Sequence, residues 1–369
     1  MEKRDKEEMS RRKFLKIVGV SAAASAAALY GCASEGKPAS SEASVLGEVP
    51  VDKMTYRVSP KGERVSLLGY GCMRWPLKPA PDSDGNVIDQ DAVNELVDYA
   101  IAHGVNYFDT SPVYCQGFSE RATGAALKRY PREKLLIATK MSNFQNYTRE
   151  NSIKMYHQSM KELQTDYLDS VIVHYVCGSF PVEETVGAME DLVREGKIRT
   201  YGLSNSQPAD LAAYRRVGGK VSVVQEFFSI LSPFHGREYF EMCRKNNTVF
   251  QTYGVLEEGF LTSPAFLDKE FAKTDIRSRL PWVAPEKKEG LRRAFALWAP
   301  MCEEYHCSYA ALVEAWALSQ YDRMSLLVGM RRASSVEDTA KCLDIRLKAE
   351  DIKRMEEAVK AIQVAVLDK

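Results

Sequence analysis

Asn106-Tyr107-Phe108-Asp109-Thr110-Ser111-Pro112-Val113-Tyr114 reads as the end of a short buried strand, Val105 to Phe108, then an acid, a turn, and a tyrosine five positions after the acid. A carboxylate and a phenol just past a strand end have little packing reason to be there. The stretch before it, Asp91 to His103, carries Val93, Leu96, Val97, Ala100 and Ile101 on one stripe, as an amphipathic helix does. The unit is therefore helix, strand, then polar residues at the strand's C-terminal end.

The same unit recurs along the chain. Tyr56–Val58 and Arg64–Leu67 around Ser59-Pro60-Lys61-Gly62 predict a hairpin, followed by a first core strand, Leu67–Gly71. Predicted helix Ser119–Arg129 precedes strand Leu135–Lys140, and Arg149–Leu163 precedes Leu168–His174. Helix 182–195 leads to Ile198–Gly202, helix 208–216 to Val221–Gln225, and helix 236–246 to Thr248–Tyr253. A long excursion from Gly254 to Lys287 follows, then helices within 289–320, a last strand Ser325–Val328, and a C-terminal helix from Ala349 to about Val364. Eight apolar strands alternating with helices belong to the α/β class with a parallel sheet. Eight units in roughly 310 residues fit a closed (β/α)8 TIM barrel; an open doubly wound sheet is the competitor. Gly69-Tyr70-Gly71-Cys72-Met73-Arg74 lacks the third glycine of a dinucleotide fingerprint, which favours the barrel.

In such a barrel the strand ends converge on one face. Asp109 and Tyr114 follow the second strand, Lys140 ends the third and His174 the fourth. Alone, each has a bland reading as a turn acid, a solvated lysine or a satisfied histidine; together they make a proton-transfer site. A tyrosine with an ordinary pKa of about 10 would have to fall by roughly 3 pH units, about 4 kcal/mol, to donate efficiently near neutrality. A lysine ammonium about 4 Å from the phenolic oxygen at an effective dielectric near 20 supplies roughly that much. Asp109 would hold Lys140 charged and His174 would orient a carbonyl, leaving hydride to arrive from elsewhere.

Asn106 to Tyr114, Ala138-Thr139-Lys140 and Val173-His174 resemble the Asp, Tyr, Lys and His tetrad of the aldo/keto reductases. So do Gly196-Lys197-Ile198-Arg199 through Gly202-Leu203-Ser204-Asn205, the strand ending in Gln225, and Tyr253 ahead of Leu256 and Gly259-Phe260-Leu261. The resemblance runs from about Tyr56 to Cys342. It implies a carbonyl reductase using NADP(H), with NAD as the alternative, in which Tyr114 is the general acid, Lys140 and Asp109 tune it, and His174 orients the substrate. It also implies that Ser204, Asn205 and Gln225 hold the nicotinamide carboxamide, that Tyr253 stacks on its ring, and that Gly71, Cys72, Met73 and Asp109 pass beside the cofactor. Leu256 would sit in the loop that closes over the pyrophosphate, and Arg331, Arg332 and Asp338 at the adenosine end. Two departures stand out: Thr339 replaces a common asparagine, and Tyr175-Val176-Cys177 is an uncommon continuation after the histidine. Trp75, Tyr175, Phe180, Phe260 and Trp282 are candidate walls of the substrate pocket.

A short-chain dehydrogenase is the weaker enzyme reading. Its Tyr-x-x-x-Lys, here Tyr130 to Lys134, needs one helical face, and Pro131 breaks it. An exported nucleotide-binding sensor or accessory redox subunit with little turnover is the alternative from another functional class.

At the N-terminus, Ser10-Arg11-Arg12-Lys13-Phe14-Leu15-Lys16 and the apolar run Ile17–Leu29 look like a twin-arginine export signal, too short to span a bilayer comfortably. Leu29-Tyr30-Gly31-Cys32 resembles a lipoprotein processing box with Cys32 as lipid acceptor. Residues 1–32 thus form a signal, 33–53 a flexible linker and 54–369 the barrel. The expected location is the periplasm or the outer face of the cytoplasmic membrane, with membrane contact only through a lipid on Cys32. Export raises the question of what re-reduces the nucleotide, so a redox partner is a candidate.

With 45% apolar and 27% charged residues and fifty acids against fifty bases, the 369-residue chain offers nothing that recommends nucleic acid. Its eight cysteines include no CxxC pair and become odd in number once Cys32 is set aside, so neither a disulfide framework nor a metal motif is indicated. Cys72, Cys115 and Cys177 fall just past strand ends, where a thiol-lined pocket or a metal is the sharper reading and small-residue packing the blander one.

Overall fold

A computed structural model describes residues 9–10, 54, 56–58, 64–75, 89–142, 146–176, 178, 180–233, 236–273, 275–363 and 366–367. The twin-arginine segment beyond Ser10, Cys32, the linker and Cys177 lie outside the described residues. After Met9–Ser10, which pairs in parallel with Val366–Leu367, comes a short antiparallel hairpin, Tyr56–Val58 with Arg64–Ser66. Eight parallel strands follow: β1 (Leu68–Gly71), β2 (Tyr107–Asp109), β3 (Leu136–Met141), β4 (Leu168–Val173), β5 (Ile198–Ser204), β6 (Val223–Phe227), β7 (Val249–Tyr253) and β8 (Met324–Val328). Each pairs with its sequence neighbours, and Leu327 of β8 lies opposite Gly69 of β1, which closes the ring.

The connecting helices are α1 (Gln90–Ala102), α2 (Phe118–Leu127), α3 (Arg149–Leu163), α4 (Val182–Arg194), α5 (Pro208–Arg216), α6 (Gly236–Asn246), α7 (Pro285–Glu304), α8 (Tyr309–Ser319), α9 (Ala333–Ala340) and α10 (Ala349–Val359). Local chemistry sets their ends. Asp89 caps α1 by accepting from Ala92 N at 2.9 Å, and Ser308 caps α8 by accepting from Ala311 N at 3.0 Å. The stripe Val93, Leu96, Val97, Ala100 and Ile101 of α1 is buried against the sheet. The last helix, α10, packs on α7. Among the described residues no helix is long and apolar enough to cross a membrane.

The two-residue period of each strand divides its side chains between the barrel interior and the helices. Tyr107, Leu136, Ala138 and Leu327 pack together inside, with Val65 of the hairpin against them. By the same alternation Asp109 and Lys140 occupy the next interior layer upward, while Thr139 points out and donates to Glu120 of α2 at 2.6 Å. The lower end is a structural clamp. Asp169 accepts from Arg132 at 2.7 Å and from Ile137 N at 2.8 Å and pairs with Arg199 at 3.0 Å, while both guanidinium groups stack on Tyr167.

Several boundaries differ from the sequence reading, and the C-terminal helix, expected to run to about Val364, ends at Val359. Strand β2 begins at Tyr107 rather than Val105 and includes Asp109, because Asn106 is tied to the hairpin: it accepts from Ser66 N at 2.8 Å and donates to Arg64 O at 2.7 Å. The acid is therefore held by strand pairing, not by a turn. Strand β5 runs on to Ser204, and β6 starts at Val223.

Candidate active site

The tetrad assembles at the C-terminal mouth of the barrel. Lys140 Nζ forms an ion pair with Asp109 Oδ1 and donates to Thr110 O at 3.0 Å, both side chains being almost fully buried. The second Asp109 oxygen accepts from Gln225 Nε2 at 2.9 Å, and that amide also reaches Gln251 Oε1 at 2.9 Å. Gln225, expected to grip a carboxamide, thus spends its amide nitrogen on the acid. A buried charge pair persists only when its remaining hydrogen-bonding capacity is met, and this polar layer meets it.

Tyr114 is delivered by an unusual turn. The three residues after it, Cys115, Gln116 and Gly117, have φ of 47°, 55° and 84°, so two side-chain-bearing residues sit in the left-handed region. Each such residue costs on the order of 1 kcal/mol or more, strain of the kind that collects at functional sites. The Tyr114 ring lies with its centroid 4.8 Å from Lys140 Nζ and meets His174 edge-on at 5.6 Å. Cys115 donates its thiol to Met73 O at 3.4 Å, tying the turn to the segment after β1.

The phenol is not acidified as the sequence suggested. Burial, followed by the Asp109 carboxylate, pushes the Tyr114 pKa well above its ordinary value. The lysine is present, but its charge is largely answered by Asp109, and burial lowers the Lys140 pKa despite that partner. Without a developing oxyanion to share, the phenol stays firmly protonated, which is the state a proton donor needs.

His174 is the most tightly specified of the four. Its Nδ1 lies 2.8 Å from Ser142 Oγ and 3.4 Å from Ser111 Oγ, and the two hydroxyls are 2.9 Å apart. Burial and the Lys140 charge hold its pKa well below the usual imidazole range, so the ring is neutral. When a serine hydroxyl donates to Nδ1, the ring proton is on Nε2, where it can hydrogen-bond a carbonyl oxygen. Neither serine was singled out from sequence, although Ser142 lies two residues past Lys140 and shares its strand end.

The remaining expected contacts divide. Asn205 has φ of 51°, donates to His174 O at 2.8 Å and to Ser204 Oγ at 3.2 Å, and accepts from Tyr253 OH, so Ser204, Asn205 and Tyr253 border the tetrad. Cys72 is anchored through its backbone, N to Asp109 O at 2.9 Å and O from Ser119 Oγ at 2.8 Å, and its buried thiol is pushed far up in pKa. Leu256 leads into the turn whose Glu257 accepts from Ser229 Oγ and, at 2.8 Å, from Trp282 Nε1. Asp338 is held by Ser308 Oγ at 2.6 Å, away from the tetrad's contacts, and Thr339 turns inward to Glu314 at 3.3 Å. Of the proposed pocket walls, Tyr175 stacks on His174 at 4.8 Å, whereas Phe260 and Trp282 are buried in the core of their own loop. Among the described residues no three His, Cys, Asp or Glu side chains converge as a metal site.

A nicotinamide nucleotide fits the residues present. Gly71 and Gly329 end β1 and open the segment after β8, and a Cβ on either would find nothing nearer than 3.6 Å. Packing does not require glycine there, and its presence leaves the backbone open to close approach. Arg331 and Arg332 follow within three residues of Gly329.

Comparison with known proteins agrees with this geometry. The model of the aldo/keto reductase family matches residues 67–360. The chain is 28% identical over 321 residues to an NADH-specific methylglyoxal reductase of Escherichia coli, covering 81% of this chain and 97% of that protein. It is 27% identical over 309 residues to the aldo-keto reductase yakc [NADP(+)] of Schizosaccharomyces pombe, covering 80% and 89%. In fold it is similar to the glycerol dehydrogenase AKR11B4 of Gluconobacter oxydans, with a TM-score of 0.75, 24% identity, and 86% and 98% of the two chains covered.

Proposed function

Because the chain belongs to the aldo/keto reductase family, we propose that Asp109, Tyr114, Lys140 and His174 are its catalytic group. The protein is an oxidoreductase that reduces a small-molecule aldehyde or ketone with a nicotinamide nucleotide. The single observation that carries the assignment of roles is the convergence of a protonated phenol, a buried Lys140–Asp109 pair and a neutral imidazole on one barrel mouth. A bound nucleotide would supply hydride to the carbonyl carbon. His174 Nε2–H orients and polarises the carbonyl oxygen, and Tyr114 OH gives that oxygen its proton. As charge develops on the phenolic oxygen, Lys140 stabilises it, and Asp109, braced by Gln225, keeps the ammonium in place.

Gly71, Cys72, Met73, Ser204, Asn205, Tyr253 and Leu256 hold the nucleotide at its reactive end, with Gln225 acting through Asp109. Arg331 and Arg332, following the open backbone at Gly329, favour the extra phosphate of NADP(H), since guanidinium groups pair well with phosphate. The relatives' names include both an NADH-specific and an NADP(+) enzyme, so the arginines support the preference. Methylglyoxal, a small dicarbonyl, is a reasonable first substrate.

The twin-arginine segment Ser10 to Lys16 and the box ending in Cys32 support export and lipidation. The barrel then works outside the cytoplasmic membrane, and a redox partner or a second substrate restores the reduced nucleotide. Fractionating the native host and assaying carbonyl-dependent oxidation of NADPH and of NADH in each fraction tests both points. Activity in the exported or membrane fraction with NADPH preferred is expected; activity confined to cytoplasm, or preference for NADH, contradicts the corresponding part.

A further inference from the structure

Away from the barrel mouth, the C-terminus of α7 carries a second piece of chemistry. The helix ends in a left-handed residue, His306, with φ of 51°, and Cys307 N donates back to Cys302 O at 3.0 Å. His306 N also reaches Glu303 O at 3.3 Å. This is the six-to-one closure of a Schellman turn, a motif that brings the side chain three positions inside the helix end against the one two positions beyond it. That contact is ordinarily between two apolar residues. Here both are cysteines, each partly exposed, set against one another by the turn.

We propose that Cys302 and Cys307 form a redox-active dithiol that exchanges with low-molecular-weight disulfides and closes to an intramolecular disulfide. With the two thiols adjacent, the first proton to leave belongs to the pair, and either sulfur can open the exchange by the same course. With Cys307 first, its thiolate attacks one sulfur of the incoming disulfide, whose S–S bond breaks and releases one thiolate. Cys302, giving its proton to solvent, attacks the Cys307 sulfur of the mixed disulfide and expels the second thiolate. The protein loses two protons and two electrons, and the small disulfide takes up the same number to leave as two thiols.

A cleft of about 310 Å³ lies beside the same turn, lined by Tyr305, His306, Lys341, Asp344, Ile345 and Arg346. Two of these residues lie between the cysteines in sequence, and Lys341 and Arg346 outnumber the one carboxylate, so the cleft suits a disulfide bearing carboxylates. Closure also bears on the barrel, because Ser308, next to Cys307, holds Asp338 of α9 at 2.6 Å.

Trypsin leaves both cysteines, and no other, in one peptide, Ala294–Arg323. The test reduces the full chain, equilibrates it with oxidised glutathione, quenches with acid, alkylates, and weighs that peptide. The expected product is two hydrogens lighter, with both alkylation sites lost together and no glutathione attached. Cys302→Ser and Cys307→Ser are each expected to trap a glutathione adduct on the remaining cysteine, which has no partner left to close the internal bond. A doubly alkylated wild-type peptide after equilibration with excess oxidant, or glutathione on each cysteine without an internal bond, overturns the proposal.

Discussion

His174 meets two serines at Nδ1. The Ser142 and Ser111 hydroxyls lie against that nitrogen while burial keeps the ring neutral, and a hydroxyl that donates there leaves the ring proton on Nε2. Replacing Ser142 by alanine leaves Ser111 at the longer distance from that nitrogen. Ser142→Ala is expected to lower kcat for carbonyl reduction about tenfold with nucleotide affinity unchanged. Since the folded pKa of His174 lies well below 6.5, wild-type kcat should show no acid limb near pH 6.5. The same depression means that protonation of the unfolded chain draws stability away as pH falls below about 6.5. An unchanged kcat in the variant, or a limb at 6.5 that moves with it, contradicts the placement of the proton. The tetrad itself was legible in sequence because each member follows an apolar run. The serines were not, since a serine at a strand end has too many ordinary reasons to be there.

Among the elements, α2 and α3 show how little slack the outer ring has. A Cβ on Gly124 of α2 would lie 2.5 Å from Leu163 O and 2.6 Å from its carbonyl carbon, both rigid backbone at the end of α3. Alanine is the better helix former by about 1 kcal/mol, but here the collision outweighs it. Gly124→Ala is expected to destabilise by roughly 1–3 kcal/mol, read as a lower denaturation midpoint with an unchanged slope; a higher midpoint contradicts the close approach. Element existence was readable from periodicity, and α3, α5 and α6 fall on their expected bounds. The displaced ends of β2 and β5 depend on tertiary bonds, such as Asn106 to the hairpin, that local pattern does not carry. The excursion after β7 gave no periodic signal because it folds as a series of short 3-10 turns around buried groups, notably Glu257 beneath Trp282 and the Arg277–Asp275 pair. The thiol pair on α7 was hidden for a related reason: its five-residue spacing acquires meaning only when the helix ends in a left-handed turn between the two cysteines.

Across the whole molecule, one barrel separates stability from chemistry by its two ends. The lower end is closed by the hairpin and by Asp169 with its arginines, and the upper end gathers strained and buried polar groups that packing alone would not select. The number of strands and their parallel order followed from the alternation of apolar runs and helices. The acidity of the tyrosine did not, because sequence shows which charges are near but not how they cancel. The structure replaces an acidified phenol with a protonated one, ready to donate and dependent on Lys140 only once negative charge develops. The direct test is Tyr114→Phe, which removes one oxygen and leaves the ring between Lys140 and His174. The account predicts a fall in kcat/KM for carbonyl reduction of roughly 10²- to 10⁴-fold, with the nucleotide's Kd changed by less than about twofold. Retention of full activity, or loss of nucleotide binding in step with activity, would contradict it.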